Sequence, residues 1–138
     1  MQKGDRIGIY SPNNSEWLLL QLACARANLI LVNVNPAFQA SELKYCLQKV
    51  GVKTLVTSES FKASNYIDII NNVVPELASQ SGTTINSSEI PDLKHIVSLT
   101  EKKFKGMLTW GELLNLSNRL DDMKARESLI TCHDDTNI

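Results

Sequence analysis

Short runs of β-branched and aliphatic residues alternate with helix-like patterns along most of this 138-residue chain. Four such runs stand out, namely residues 6–10 (RIGIY), 29–34 (LILVNV), 53–57 (KTLVT) and 95–99 (HIVSL). Runs that are apolar without strict alternation are typical of buried parallel strands. The alternation predicts an α/β fold, a doubly wound parallel sheet of about four strands with flanking helices and right-handed crossovers.

The segments between these runs carry helical periodicity. The clearest one spaces its apolar residues at i, i+3, i+4 and i+7: Leu43, Cys46, Leu47 and Val50. Gly51 then fits the left-handed cap that ends many helices. Residues 15–27 leave hardly any polar face, which predicts a helix covered on most sides. A third helix is predicted over residues 66–74, with Ser58 or Ser60 as its amino-terminal cap.

The chain has the length of one domain, and 43% hydrophobic residues are enough for a core without disulfides. Residues 76–92 are rich in Ser, Thr, Asn and Gln without a sustained period, which predicts a flexible surface loop. The capping-box pattern Thr109-x-x-Glu112 predicts the start of a last helix. Residues 128–138 resemble the approach to a further strand.

Composition argues against several classes of protein. Fourteen Lys and Arg balance fifteen Asp and Glu, so the chain lacks the positive charge that nucleic-acid binding requires. The three cysteines are widely spaced with no Cys-x-x-Cys pair, and His95 lies far from His133, which argues against zinc. The apolar run over residues 17–34 contains Gln21 and Arg26, so no membrane span is predicted. The first residues show neither a signal-peptide nor a transit-peptide pattern.

Ligands of open parallel sheets bind beyond the carboxyl ends of the strands, here residues 11–14, 35–39, 57–60 and 100–106. The turn directly after the first strand contains no glycine, so the Gly-x-Gly-x-x-Gly turn that approaches a dinucleotide pyrophosphate is missing. No Gly-Lys-Ser or Gly-Lys-Thr sequence occurs either. The residues themselves therefore predict no catalytic, cofactor-binding or metal-binding position.

Several short motifs contain residue types that chemistry uses, and each has a simpler structural interpretation. They are Ser81-Gly82-Thr83-Thr84, Cys132-His133-Asp134, the acidic pairs Asp121-Asp122 and Asp134-Asp135, Lys102-Lys103-Phe104-Lys105, and Trp17 with Trp110. The Ser/Thr turn does not follow a strand, and adjacent residues rarely form a catalytic pair. Paired acids usually cap or form turns, a lone basic tetrapeptide is usually a solvated loop, and the tryptophans are predicted to pack.

A larger pattern carries a family resemblance. Its motifs are Lys3-Gly4-Asp5-Arg6-Ile7, Pro12-Asn13, Leu31-Val32-Asn33-Val34-Asn35-Pro36 and Glu42-Leu43-x-Tyr45-x-Leu47. In order and spacing they resemble the amino-terminal subdomain of the adenylate-forming (AMP-binding) superfamily, which includes acyl-CoA synthetases, luciferases and peptide-synthetase adenylation domains. Within it, the segment from Val34 to Ala40 and the Cys132-His133-Asp134 motif are most similar to mitochondrial medium-chain acyl-CoA synthetases.

The resemblance implies that residues 1–138 form one partial domain of a larger ligase. Such enzymes use ATP, magnesium and coenzyme A to convert a fatty acid into acyl-CoA through an acyl-adenylate. The resemblance implies the mitochondrial matrix as the location, with the cytoplasm as the alternative. Their phosphate-binding loop follows the Asn-Ile pair that this chain has at Asn137 and Ile138, so residues 128–138 would lead into it. The segment itself is then expected to hold no cofactor, to be inactive alone, and to have the remainder of the enzyme as its partner.

The resemblance gives expectations for two positions in the chain, and two other functions remain as alternatives to it. The turn over residues 35–39 is a candidate for proximity to coenzyme A. Gln39 stands where many relatives have a Ser or Thr cap, so the next helix is expected to begin less firmly. The alternatives are a small flavodoxin-like nucleotide-binding module and a truncated protein that pairs with a partner through an unfinished sheet edge.

Overall fold

The computed structural model describes residues 1–116, in which a parallel sheet is flanked by helices on both faces. The strands are β1 (Arg6–Tyr10), β2 (Ile30–Asn33), β3 (Thr54–Thr57), β4 (Ser60–Phe61), β5 (Ser64–Asn65), β6 (His95–Ser98) and β7 (Leu108–Thr109). The α-helices are α1 (Ser15–Arg26), α2 (Ala40–Val50), α3 (Tyr66–Val73) and α4 (Trp110–Asn115), and a 3-10 helix covers Pro75–Ala78.

The main sheet has five parallel strands in the order β2-β1-β3-β6-β7. Gly8 of β1 is in register with Val32 on one side and Leu55 on the other, so β1 is the strand from which the sheet grows in both directions. The predicted doubly wound parallel sheet is therefore confirmed. Its fifth strand, β7, has only two residues and is too short to leave a pattern in the sequence.

The larger part of the core lies on the face covered by α2 and α3. Its fully buried members come from strands, helices and loops alike: Tyr10, Leu43, Leu47, Leu55, Tyr66, Ile70, Leu77, Ile85, Ile90, Leu93 and Ile96. The predicted stripe on α2 faces this core, and Gly51 ends that helix with a φ of 69° as expected. At Gly8 a side chain would lie 3.1 Å from both Leu55 and Val52, so this face packs directly against the backbone of β1.

The opposite face of the sheet is covered by α1 and α4, and it has a smaller buried cluster: Ile7, Ile9, Leu20, Cys24, Val56 and Val97. The prediction that α1 is covered on most sides is wrong for this chain. Leu18, Leu19 and Leu22 are 54%, 55% and 53% exposed. The reason is that, among residues 1–116, the layer that packs against α1 is the sheet, and it covers one side of the helix.

Strand β2 is also less buried than predicted. Ile30 is 47% exposed and Asn33 is exposed, although the strand is parallel as expected. The physical reason is its position at the edge of the sheet that the described strands form, where its neighbour is β1. The apolar sequence of β2 therefore predicted its parallel pairing correctly but did not predict its position at the edge of the sheet.

A short hairpin precedes α3 and replaces the predicted cap. β4 pairs with β5 through a turn in which Lys62 has a φ of 53°. The cap of α3 is Asn65, whose side-chain oxygen accepts hydrogen bonds from the backbone N–H groups of Ile67 and Asp68, so Ser58 and Ser60 are not the cap. Two-residue strands closed by a non-glycine turn give no periodic signal, which is why the hairpin was not predicted.

The loop over residues 76–92 contains part of the 3-10 helix but no α-helix or strand. Leu77, Ile85 and Ile90 are nevertheless fully buried, and the backbone N–H of Ile85 donates to the carbonyl oxygen of Lys94 at 2.8 Å. These apolar side chains anchor the loop in the core, and most of the polar residues between them are exposed. Its flexibility stays a prediction.

The capping box of the last described helix is confirmed, since Glu112 N–H donates to Thr109 Oγ1 at 3.1 Å and Thr109 N–H donates to Glu112 Oε2 at 2.8 Å. The pair Asp121-Asp122, the motif Cys132-His133-Asp134, the pair Asp134-Asp135 and the 128–138 segment lie outside the described residues. Over residues 1–116, no helix has the length and apolarity to cross a membrane.

Candidate functional site

The crevice between β1 and β3 is where a ligand is expected in a sheet of this order, because the strand order reverses there. The side chains at its mouth are Ser11 and Ser58, whose hydroxyl oxygens lie 2.6 Å apart. Asn14 donates from Nδ2 to Ser11 Oγ at 2.9 Å, and its Oδ1 accepts the backbone N–H of Trp17 at the start of α1. These polar groups satisfy one another and hold the first turn of α1 against the sheet.

The hydroxyl groups at the carboxyl ends of β3 and β6 also form hydrogen bonds within the segment. Thr57 Oγ1 donates to the carbonyl oxygen of Tyr10 at 3.1 Å, and Ser98 Oγ lies 3.2 Å from Thr100 Oγ1. The Thr57 contact joins the carboxyl ends of β1 and β3, and the second contact lies at the end of β6. One hydroxyl hydrogen of each contact is thus engaged within the segment.

The basic segment over residues 102–105 is a surface loop whose cations already have partners. Lys102 Nζ lies 2.7 Å from Glu59 Oε1, and Lys103 Nζ lies 2.5 Å from Glu112 Oε2. Lys105 donates to the carbonyl oxygen of Ala78. The interpretation as a solvated connection is confirmed for these side chains.

The turn over residues 35–39 is held from beneath by two buried tyrosines. Tyr66 donates its hydroxyl to the carbonyl oxygen of Pro36 at 2.8 Å, and Tyr10 donates to the carbonyl oxygen of Phe38. The two rings lie 4.0 Å apart between centroids, with 31° between their planes. Burial raises the pKa of Tyr10 to about 12 and raises that of Tyr66, so both hydroxyls stay protonated donors at neutral pH.

Hydrogen bonds within the turn fix its backbone further. Asn35 Oδ1 accepts the backbone N–H of Ala37 at 2.9 Å, and the carbonyl oxygen of Asn35 accepts the N–H of Phe38 at 3.0 Å. At the start of α2, Glu42 Oε2 accepts the N–H of Gln39 at 2.7 Å. The Glu42 carboxylate therefore satisfies the backbone N–H of Gln39. That α2 begins less firmly than in relatives with a Ser or Thr cap stays a prediction.

An open, mostly apolar groove of about 480 Å³ adjoins this turn. Its lining comes from the end of the turn and the outer side of α2: Phe38, Ser41, Glu42, Tyr45, Cys46, Lys49 and Val50. Tyr45 is 65% exposed at its rim. Residues 35–39 and the groove thus form an apolar concave feature beyond the carboxyl end of β2.

The remaining sequence motifs occupy structural positions. Trp17 and Trp110 are half-buried and pack on the smaller cluster, as predicted. Burial raises the pKa of the Cys24 thiol to about 11 and raises that of Cys46, which makes both poor nucleophiles. In the motif at residues 81–84, most side chains are exposed and the carbonyl oxygen of Thr83 lies 3.2 Å from His95 Nδ1.

Several polar side chains at the strand ends of residues 1–116 already have partners within the segment. A triphosphate requires free cations or backbone amides, and magnesium requires carboxylates with open coordination. At the strand ends of residues 1–116 the hydroxyls bond to each other, and Lys102 and Lys103 bond to carboxylates. No group of three or more His, Cys, Asp or Glu side chains is arranged for a metal within that part of the chain. The expectation that the segment has no catalytic, cofactor-binding or metal-binding residue stays a prediction.

The two tyrosines were not predicted as site residues. In the sequence, Tyr10 ends an apolar strand and Tyr66 occupies an apolar helix position, so both look like packing residues. Their hydroxyls reach the turn only after β1, α3 and the β2–α2 connection are brought together in the fold. No local signal could have identified them.

Known proteins resemble this chain over nearly its whole length. The family model described as "AMP-binding enzyme" matches residues 1–127. The human mitochondrial medium-chain acyl-CoA ligase ACSF2 is 38% identical over 139 residues, which is 99% of this chain and 22% of the relative. The acyl-CoA synthetase YngI of Bacillus subtilis, described as putative, is 33% identical over 127 residues, 92% of this chain and 23% of its own length.

Solved structures agree with these relatives on the fold. A structure titled as a putative long-chain-fatty-acid CoA ligase from Rhodopseudomonas palustris has a TM-score of 0.62 at 23% identity, with 82% of this chain and 24% of that chain covered. The anthranilate CoA ligase AuaEII has a TM-score of 0.67 at 17% identity, with 84% and 19% covered. The chain spans about a fifth of the length of the curated relatives it matches.

Proposed function

Because the chain belongs to the AMP-binding enzyme family, we propose that it is a structural segment of an ATP-dependent fatty acyl-CoA synthetase. The observation that carries this proposal is the 38% identity to ACSF2 over 99% of the chain but only 22% of the relative. The complete enzyme would join a medium-chain fatty acid to coenzyme A at the expense of ATP, with magnesium assisting at the phosphates. Residues 1–116 contribute the sheet and helices that support this site, since their own polar groups are engaged with one another.

The turn over residues 35–39 is the part of the segment that we place nearest to coenzyme A. The support is geometric, because the turn follows the carboxyl end of β2, is held by Tyr10 and Tyr66, and adjoins the groove beside Phe38. A rigid turn of this kind presents a fixed wall to a flexible ligand and does not have to be ordered when the ligand binds. Its contribution would be shape, not acid–base or nucleophilic chemistry.

The isolated chain is expected to be inactive. The test incubates it with ATP, magnesium, octanoate and coenzyme A and measures octanoyl-CoA by mass spectrometry, with human ACSF2 as the positive control. We expect no product above a blank without protein, since the side chains of Ser11, Ser58, Lys102 and Lys103 at the strand ends are engaged with other groups of the segment. Octanoyl-CoA formed by the purified chain in proportion to its concentration would contradict the proposal.

The alternative of a free-standing nucleotide-binding module gains no support from the crevice between β1 and β3, where Ser11, Asn14 and Ser58 bond to one another. Titration calorimetry with ATP, AMP, FMN and coenzyme A distinguishes the two functions. We expect no micromolar binding of any of the four, and micromolar binding of one of them would favour the module.

We place the complete enzyme in the mitochondrial matrix, because the ACSF2 relatives are named mitochondrial. Immunofluorescence with an antibody raised against this chain, combined with protease protection of isolated mitochondria, tests the location. Signal that survives protease until the inner membrane is opened is the expected result.

A further inference from the structure

Lys49 lies beside the apolar groove without a partner for its charge. It is an exposed residue in the last turn of α2, and it lines the groove of about 480 Å³ together with Phe38, Tyr45 and Val50. Within residues 1–116, its Nζ atom has neither a carboxylate nor a carbonyl partner. This amine is therefore available to a ligand that enters the groove.

Most other lysines of the described segment are already engaged. Four have a carboxylate partner and one donates to a carbonyl oxygen: Lys44 with Glu89, Lys53 with Asp5, Lys102 with Glu59, Lys103 with Glu112, and Lys105 with Ala78. An ion pair favours the protonated amine, which has no lone pair for attack on a carbonyl group. Lys62 is exposed and has no carboxylate partner in the same segment, but it does not line the groove. The apolar groove thus distinguishes Lys49 from Lys62.

The groove offers an aliphatic chain a surface next to the Lys49 amine. Phe38, Tyr45 and Val50 supply two rings and a branched side chain, and the volume lies within the range of about 300–1,000 Å³ that is typical of small-molecule sites. The Glu42 carboxylate in the lining is engaged, since it accepts the backbone N–H of Gln39 at 2.7 Å. Each methylene group that leaves water for the groove contributes favourably, so the groove favours ligands with an acyl chain.

We infer that Lys49 is a site at which a medium-chain acyl-CoA acylates this protein. The acyl chain lies in the groove, and the unprotonated Nζ attacks the carbonyl carbon of the thioester. The new C–N bond forms as the C–S bond breaks, and coenzyme A leaves as its thiol with the proton that the amine loses. The inference rests on the proposed function for the source of the thioester, because acyl-CoA is the product of such a ligase and the groove adjoins the turn that we place nearest to coenzyme A.

The expected signature is a dependence on acyl-chain length that is confined to Lys49. A chain held in the groove keeps the thioester near one amine, which raises the rate there relative to other amines. We expect octanoyl-CoA to modify Lys49 at least about ten-fold faster than Lys62, a ratio that corresponds to about 1.4 kcal/mol and that burial of about two methylene groups supplies. Acetyl-CoA has no chain to occupy the groove, so its rates at the two lysines should be similar.

The experiment incubates the 138-residue chain with octanoyl-CoA or acetyl-CoA at pH 8.5 and follows the initial rate of amide formation at both lysines by peptide mass spectrometry. Circular dichroism of the same samples reports whether the chain is folded. Tyr45→Ser removes an exposed ring from the groove and should lower octanoylation of Lys49 towards the rate of Lys62, with acetylation unchanged. The matched control Tyr45→Phe keeps the ring and should keep the preference.

Three results in the folded chain would overturn the inference. The first is equal octanoylation of Lys49 and Lys62. The second is a preference for Lys49 that is equally large with acetyl-CoA, since the groove would then not be its cause. The third is an octanoyl group that hydroxylamine removes from Cys46, because a thiol and not the amine would then be the acceptor.

A full-length graft separates this inference from the proposed function. The segment of human ACSF2 that matches this chain is replaced by this chain, and the graft receives either octanoyl-CoA or octanoate with ATP, magnesium and coenzyme A. Preferential modification of Lys49 by added octanoyl-CoA, in a graft that forms none itself, would support the inference and count against the proposed function. An active graft without this preference would overturn the inference and leave the proposed function standing. If the isolated chain is unfolded, the rates in the graft decide by the same criteria.

Discussion

Replacing Tyr66 with Phe isolates the hydrogen bond that holds the turn over residues 35–39. The ring of Tyr66 is fully buried against that of Tyr10, and its hydroxyl donates to the carbonyl oxygen of Pro36 at 2.8 Å. Phenylalanine keeps the ring and its stacking, so the change removes the hydroxyl alone. Since Pro36 is only partly buried, water can reach its carbonyl, and the cost is that of one net hydrogen bond, about 1 kcal/mol of unfolding free energy.

Urea unfolding at pH 7, followed by far-ultraviolet circular dichroism, measures this loss. With a slope of roughly 2 kcal/mol per molar urea for a small domain, the midpoint should fall by about 0.5 M. Tyr45→Phe is the matched control, because its side chain is 65% exposed at the rim of the groove, and its midpoint should not change. The interpretation of Tyr66 as an anchor would be refuted if the two variants had the same midpoint as the unmodified chain.

The remaining predictions concern the core and the amino-terminal ion pair. Leu47→Asp places a carboxylate in the core, where Leu47 is 1% exposed. An unpaired buried charge costs several kcal/mol of unfolding free energy, so circular dichroism should show a largely unfolded chain at 25 °C. The control Gln48→Asp, on the outer face of α2, should stay folded. The hydrogen bond from Lys53 and that from the backbone of Gln2 hold the pKa of Asp5 below its ordinary value of 3.8. The stabilising effect of the Asp5 carboxylate is therefore present above pH 4 and is lost as the pH falls through the lowered pKa. Urea midpoints at pH 3 and pH 7 should differ less for Asp5→Asn than for the unmodified chain. An unchanged difference would argue against this role of Asp5.

Local patterns were sufficient to predict the sheet and several helix ends. The apolar runs of β1, β2, β3 and β6 predicted parallel strands, and Gly51 and the Thr109–Glu112 pair predicted a helix end and a helix start that the structure confirms. These features depend on residues within one or two turns of each other. A short window of the sequence around each strand or helix end therefore contains the information that predicts it.

What local patterns could not supply is the number of layers around each element. Leu18 and Leu22 have the same apolar character as Leu20, yet they face outward because, within the described part of the chain, the sheet packs on one side of α1. In the same way, Ile30 is exposed because β2 lies at an edge. The hydroxyls of Tyr10 and Tyr66 reach a turn about thirty residues away in sequence, a contact that only the tertiary fold creates.

The strand order β2-β1-β3-β6-β7 has a consequence for how the protein is made. Each strand that leaves the ribosome meets a free edge: β2 joins one side of β1, β3 joins the other, and β6 and β7 are then added in turn. None of the strands within residues 1–116 has to be inserted between two that are already paired. The sheet can therefore assemble during translation without undoing any earlier pairing, which limits the time that its edges spend exposed to aggregation.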